Sequence, residues 1–150
     1  MFDHAFPEVK KVSQIVRFGV SLDGDLLEKF DRLIRDRHYT NRSEAIRDLI
    51  RQEFVKREWE ENREVAGAVT FVFDHHQRSL VGRIVDVQHE FLHCIISTQH
   101  VHMDHDHCLE VVAVRGKSQD VIKLADCLKS LKGVQHAALS MTYTGVEKAH

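Results

Sequence analysis

The sequence predicts an α+β protein built from a strand-helix-helix module followed by a βαββαβ domain. Three observations carry that expectation. A period-2 apolar pattern near the N-terminus leads into two helical stripes, strand and helix patterns alternate through the second half, and a histidine-rich segment, QHVHMDHDHC from Gln99 to Cys108, sits between two of those strands. The expected divisions are an N-terminal extension at residues 1–13, the module with its connector at 14–64, and the second domain at 65–150.

From Gln14 to Leu22 the stretch QIVRFGVSL alternates, with Val16, Phe18, Val20 and Leu22 on one side and Arg17, Gly19 and Ser21 on the other. This is the pattern of a strand with one oily face and one small or basic face. DGDLLEKFDRLIRDR follows with Leu26, Leu27, Phe30, Leu33 and Ile34 at helical spacing, and its early aspartates suit the positive end of a helix. After His38 and Tyr39, the NRSE at Asn41 to Glu44 has capping-box spacing, and Ala45, Ile46, Leu49, Ile50 and Phe54 form the stripe of a second helix. A module of about 45 residues has too little chain to enclose two stripes and a strand face. It is expected to dimerise, its strand pairing antiparallel with a twofold mate into a ribbon that the DNA major groove admits. A plain helical dimerisation hairpin is the competing reading. The 12 Lys or Arg against 8 Asp or Glu in residues 10–57 only mildly favour phosphate contact.

REWEENREV reads as a charge-rich, solvated connector that continues the second helix and is ended by Gly67. GAVTFVFD then reads as a strand, RSLVGRIVDVQHE as a helix and FLHCIISTQHVHM as a strand. After the DHDH turn, CLEVVAVRG is a strand, SQDVIKLADCLKSLK a helix capped by its serine, and VQHAALSMTY the last strand. The order βαββαβ is the ferredoxin-like split unit, which regulatory domains of the ACT type use.

With 43% hydrophobic and 29% charged residues, 7 Gly and 1 Pro, the chain reads as globular and excludes low-complexity disorder and fibrous repeats. The formal charge of -2 assigns no acidic or basic partner. No apolar run approaches the roughly 18 residues that span a bilayer, and the start MFDHAFPEVKKV lacks a signal-peptide core, so a cytoplasmic chain without a membrane partner is expected. Cys94, Cys108 and Cys127 are odd in number and lack disulfide spacing, which points to reduced thiols. Cys94 and Cys127 lie among apolar neighbours and read as packing.

Cys108 is different because it lies among histidines, of which the chain has 12. On an extended segment residues i and i+2 share a face, so His100 and His102 stand about 7 Å apart along the strand, and Cys108 folds back after a short polar turn. Imidazoles with a thiolate favour Zn, Cu, Ni or Co over Mg or Ca. His89, at the end of a predicted helix, could supply a fourth donor. Glu110, one strand step from Cys108, is placed to orient a ligand from behind. His105 and His107 read more naturally as solvated turn residues, and His75 and His76 as either a secondary site or a loop.

VRFGVSLDGDLLEKFD followed by NRSEAIRDLI resembles the ribbon-helix-helix DNA-binding domain of bacterial repressors. The resemblance implies that Arg17, Gly19 and Ser21 enter the major groove and that the Ser43 amide, at the start of the second helix, meets a phosphate. Gly19 departs from the pattern, since related proteins commonly place a hydroxyl residue there. Over most of its length the chain is similar to the nickel-responsive transcriptional regulators known as NikR. That similarity rests on NRSEAIRDLI, on the spacing of His89, His100, His102 and Cys108, and on the block QHVHMDHDHCLEVVAVRG.

The resemblance implies a homotetramer in which a core of metal-binding domains is flanked by two dimeric DNA-binding domains. It implies square-planar Ni(II) held by His100, His102 and Cys108 of one chain and His89 of another. A second cation site at Glu44 and Asp48, used when DNA is bound, is implied as well. The partner is a double-stranded DNA operator and the outcome is repression of nickel uptake genes when nickel is plentiful. Other readings stand beside it: an ACT-type regulator that senses an amino acid or another metal, a zinc or copper sensor, and a zinc-dependent hydrolase. The last follows from HVHMDH, which matches the HxHxDH motif of metallo-β-lactamase-fold enzymes. That fold needs more than the 86 residues of the second domain and draws ligands from downstream, where only His136 and His150 follow Cys108.

Overall fold

The computed structural model describes residues 14–144, so the extension at 1–13 lies outside the described residues. The chain divides into two compact units at Ala45 and Ile46. In the first, residues 14–23 have no regular secondary structure, and Ile15, Val16 and Phe18 are 89, 81 and 71% exposed. The expected strand is therefore absent from the single chain. Alternation decides which side chains share a face, but a strand also needs a neighbour for its amides and carbonyls, and one chain supplies none here.

Helix α1 (Gly24–Asp36) starts where the aspartates predict, with the Asp23 carboxylate accepting the Leu26 amide at 2.9 Å. His38 at φ 57 turns the chain, and α2 (Arg42–Glu60) begins with the Glu44 amide donating to Asn41 Oδ1 at 3.0 Å, one half of the expected capping box. The Arg42 guanidinium forks onto Asp31 at 2.9 and 2.8 Å, tying the start of α2 to α1. That contact holds the Asp31 carboxyl below its ordinary range.

The later turns of α2 belong to the second unit. The connector is not a solvated run, because Trp59 is 5% exposed, its Nε1 donates to the Thr142 carbonyl at 2.8 Å, and its own carbonyl accepts the Ser118 hydroxyl at 2.6 Å. Charged neighbours concealed one buried aromatic. Asn62 at φ 52 makes the turn and accepts the Gln119 amide at 3.0 Å. Gly67 does not end the helix either: it lies inside β1 (Glu64–Asp74), where a Cβ would stand 2.5 Å from the Ser140 carbonyl oxygen and 3.5 Å from the Trp59 ring.

After β1 come α3 (Arg78–Glu90), a 3-10 turn (Leu92–Cys94), β2 (Ile95–His102), β3 (His107–Lys117), α4 (Ser118–Ser130) and β4 (Val134–Tyr143). The sheet order is β2-β3-β1-β4 and every pair is antiparallel, the ferredoxin-like arrangement. The strand expected from Phe91 starts late because Phe91–Cys94 closes a turn, with the Cys94 amide bonded to the Phe91 carbonyl at 3.0 Å. Ser118 does not cap α4, since its hydroxyl goes to Trp59. Val69, Phe71 and Phe73 of β1, Val112 and Val114 of β3, Leu80 of α3 and Leu124 and Leu128 of α4 form the core. Each large apolar side chain excluded from water contributes about 1.5–3 kcal/mol. No helix among the described residues is long and apolar enough to cross a membrane.

Candidate metal centre

The β2–β3 hairpin builds the site. In the antiparallel register His102 stands opposite Cys108 and His100 opposite Glu110, so all four point to one face of the sheet. The turn between them is held by Asp104, whose Oδ1 accepts the amides of Asp106 at 2.8 Å and His107 at 2.7 Å. The Met103 amide closes the turn on the His107 carbonyl at 3.0 Å. These bonds depress the Asp104 carboxyl below its ordinary range. The short turn thus returns Cys108 to His102, as the spacing predicts.

Cys108 Sγ lies 3.2 Å from His102 Nδ1 and 3.3 Å from His75 Nδ1. The sulfur is buried and the two imidazoles flank it, His102 from β2 and His75 from just past the end of β1. His75, His102 and Cys108 offer donor atoms all within 4.8 Å of one another. Burial, then the carboxylates of Glu110, Asp104 and Asp74, push the Cys108 thiol up, so the apo protein holds a thiol and a metal must displace its proton. Sulfur with imidazole suits a borderline transition ion, which is the chemistry that the sequence predicts.

His100 is anchored differently. Its Nδ1 is 3.5 Å from Glu110 Oε2, while the other Glu110 oxygen accepts from Gln88 of α3. Its ring meets Phe73 edge-on at 5.6 Å and His102 at 5.3 Å. Glu110 is 6% exposed and stands behind His100, linking it to α3. His89 occupies the last turn of α3, exposed, and joins no donor group among the described residues of the chain. A second group, His76, His105 and Asp106, lies on the surface, with His105 Nδ1 2.9 Å from Asp106 Oδ1. The sequence reading leaves His75 as a secondary site or a loop and does not place it beside Cys108. Only the β1–β3 pairing carries it to the sulfur, and the available signal was two adjacent histidines directly after a strand.

In the first unit, Arg17, Gly19 and Ser21 lie in the exposed stretch before α1, and a Cβ at Gly19 would meet nothing within 4 Å. Ser43 and Glu44 lie in the first turn of α2, and Asp48, one turn on, accepts from Gln52 Nε2 at 2.6 Å. Cys94 is buried and its thiol donates to the Phe91 carbonyl at 3.3 Å, so packing accounts for it.

Residues 16–57 match the family described as ribbon-helix-helix protein, copG family, and residues 66–142 match the family described as NikR C terminal nickel binding domain. A nickel-responsive regulator of Syntrophus aciditrophicus is 60% identical over 134 residues, 89% of this chain and 98% of that one. The chain belongs to the nickel-responsive regulator family. Other members of that name are 58% identical in Chlorobium phaeobacteroides, over 87% of this chain and 98% of that one, and 54% identical in Pyrococcus furiosus, over 87% and 96%. A nickel-responsive regulator is a DNA-binding protein with a Ni(II) domain and not an enzyme, so the hydrolase reading of HVHMDH falls. The motif is present, but it lies in a hairpin of a nickel-binding ferredoxin-like domain.

Proposed function

We propose that this nickel-responsive regulator acts as a cytoplasmic homotetramer that binds an operator and represses nickel uptake genes when Ni(II) is bound. The observation that carries the reading is the convergence of His102 with the buried Cys108 thiol, 3.2 Å apart, beside His100 on its Glu110 anchor. His100, His102 and Cys108 hold the ion from one chain. His89, exposed at the end of α3 and away from that group, supplies the fourth donor to another chain. Nickel then joins two chains and biases how they sit, which is what an allosteric signal requires.

Two further features support assembly. The apolar side chains of the ribbon segment and Leu49, Ile50 and Phe54 of α2 are exposed in the single chain, and on the sheet face away from the helices Thr70, Val72, Leu109 and Val111 are only half-buried. In the paired ribbon Arg17, Gly19 and Ser21 face the bases and the Ser43 amide meets a phosphate. Glu44 and Asp48 take the second cation when the operator is bound. The shared site is tested by mixing His89→Ala with Cys108→Ala protein. Alone, Cys108→Ala has no sulfur-to-nickel charge-transfer band and neither variant binds nickel tightly. With random mixing half the interfaces are hybrid and each rebuilds one of two sites, so roughly a quarter of the tight capacity returns. Zero recovery in verified hybrids would refute the shared site.

A further inference from the structure

Helix α2 carries two apolar faces. Ile50 and Phe54 stand exposed on one, while Trp59, across the helix from Ile50 at about 100° per residue, is buried and packs with Val55 in the core of the sheet domain. The end of α2 is fastened there from several sides. The Trp59 ring lies against β1 at Gly67, and its Nε1 donates to the Thr142 carbonyl of β4 at 2.8 Å. Its own carbonyl accepts the hydroxyl of Ser118, the wholly buried first residue of α4, at 2.6 Å. Helix α4 has no side-chain cap at its N-cap residue, and the connector takes that place: the Ser118 amide donates to the Arg63 carbonyl and the Gln119 amide to Asn62 Oδ1, both at 3.0 Å. Helix amides that would otherwise lack partners are satisfied by the chain that leaves α2, so α4 and the end of α2 stabilise each other. A flexible tether would need none of this.

We propose that Trp59 is a positioning residue for the nickel response: by locking the last turn of α2 to the sheet domain, it lets a metal held in that domain govern the helix that the DNA-binding module shares. The physical reason is the stiffness of the joint. Nickel acts on the sheet domain, and a ribbon tied to that domain by a loose tether would sample many placements whatever the metal did. A helix held at its end by a buried ring and by the bonds of its indole and carbonyl does not. With the joint closed, the placements that nickel disfavours become costly and those that it favours are ready-made, which gives the metal a differential free energy for DNA. Trp59 is neither a metal donor nor, in the core of the sheet domain, a DNA contact, so its effect runs through α2. This inference rests on the proposed nickel-dependent binding of an operator.

The experiment measures affinity for an operator selected from random DNA, with and without nickel, in full-length wild type, Trp59→Ala, Trp59→Phe and Asn62→Gly. The ratio of the two affinities should fall at least about fivefold in Trp59→Ala, the low end of the usual coupling between sites, while nickel affinity without DNA and the nickel–sulfur band stay as in wild type. Trp59→Phe keeps a ring beside Gly67 and loses the bond to Thr142, so it should recover part of the ratio. Asn62→Gly keeps the left-handed turn that Asn62 makes at φ 52 and deletes the bond to the Gln119 amide, and it should lower the ratio by less than Trp59→Ala. A lower melting temperature with an unchanged ratio would mean a merely structural role and overturns the proposal; nickel affinity that falls together with the ratio overturns it too. Trp59 is the only tryptophan of the chain, so its emission reads the joint directly. Acrylamide should quench it weakly in nickel-free and nickel-bound protein alike, and strong quenching in either state overturns the proposal. If Trp59→Ala does not fold by circular dichroism, Trp59→Phe and Asn62→Gly decide. A wild type whose operator affinity ignores nickel would sink the proposed function together with this inference, whereas a nickel-dependent wild type beside unchanged ratios in the variants overturns this inference alone.

Discussion

In the N-terminal unit Val16, Phe18 and Val20 stand 81, 71 and 57% exposed, whereas in the sheet domain Phe71 and Leu124 are wholly excluded from water. The two regions have similar apolar side chains, and the difference lies in what covers them. The sheet domain folds two helices onto its own strands, so one chain closes its core. The ribbon segment and the two helices after it expose large apolar surface that a second copy would cover at about 1.5–3 kcal/mol per side chain. The metal centre sits between these cases: sulfur and two imidazoles converge within one chain, while His89 stands apart at the end of α3.

The sharpest way to break the comparison is to put a charge where the proposed ribbon would pair. Phe18→Glu should lower affinity for an operator selected from random DNA by at least about a hundredfold, because the buried charge opposes pairing. The nickel–sulfur band should survive, since the sheet domain closes without the ribbon. Loss of both in gel-shift and absorption measurements would mean that the regions are not independent. A smaller effect, about 1–3 kcal/mol or roughly five- to 150-fold in operator affinity, is expected for Arg17→Ala, again with normal nickel binding. Unchanged affinity there would remove Arg17 from the contact face.

In the sheet domain the thiol sets the pH response. With the Cys108 thiol raised above its ordinary value, the apo protein carries the proton at neutral pH and binding releases it. Nickel affinity should accordingly fall about tenfold per unit as pH falls, and rise until pH reaches the thiol's own value. Competition against a chelator of known pH dependence measures this, and a flat response would mean that sulfur does not bind as thiolate. The smallest effect expected is on stability. Gly67→Ala places a Cβ 2.5 Å from the Ser140 carbonyl oxygen, and overpacking of this kind costs about 1–3 kcal/mol. The melting temperature of the sheet domain should drop by several degrees, with no change in what the ribbon contacts on DNA.

Legibility in the sequence followed the range of the forces involved. Helix α1 begins where the aspartates stand, and α3 and β4 run over the residues that their patterns predict, because capping and periodicity act within a few residues. The return of Cys108 to His102 was legible for the same reason, since a hairpin turn of four residues separates the strands. Trp59 was not, because its burial depends on Thr142 and Ser118, far away in the chain. Ser118 looked like a cap locally, but its hydroxyl had a better-placed acceptor in the Trp59 carbonyl.

What the sequence by itself determined was the order of the helices and of the sheet domain's strands, the family, and a thiol set among imidazoles at a spacing that suits a borderline metal ion. Those are properties of neighbours along the chain. The tertiary structure alone decided that Gly67 is needed where two strands and Trp59 pass closely, that Glu110 links His100 to α3, and that His75 stands against the sulfur. Each of these depends on which strands lie side by side. Pairing β3 with β1 brings residue 75 to residue 108, and no local pattern records a contact made across 33 positions.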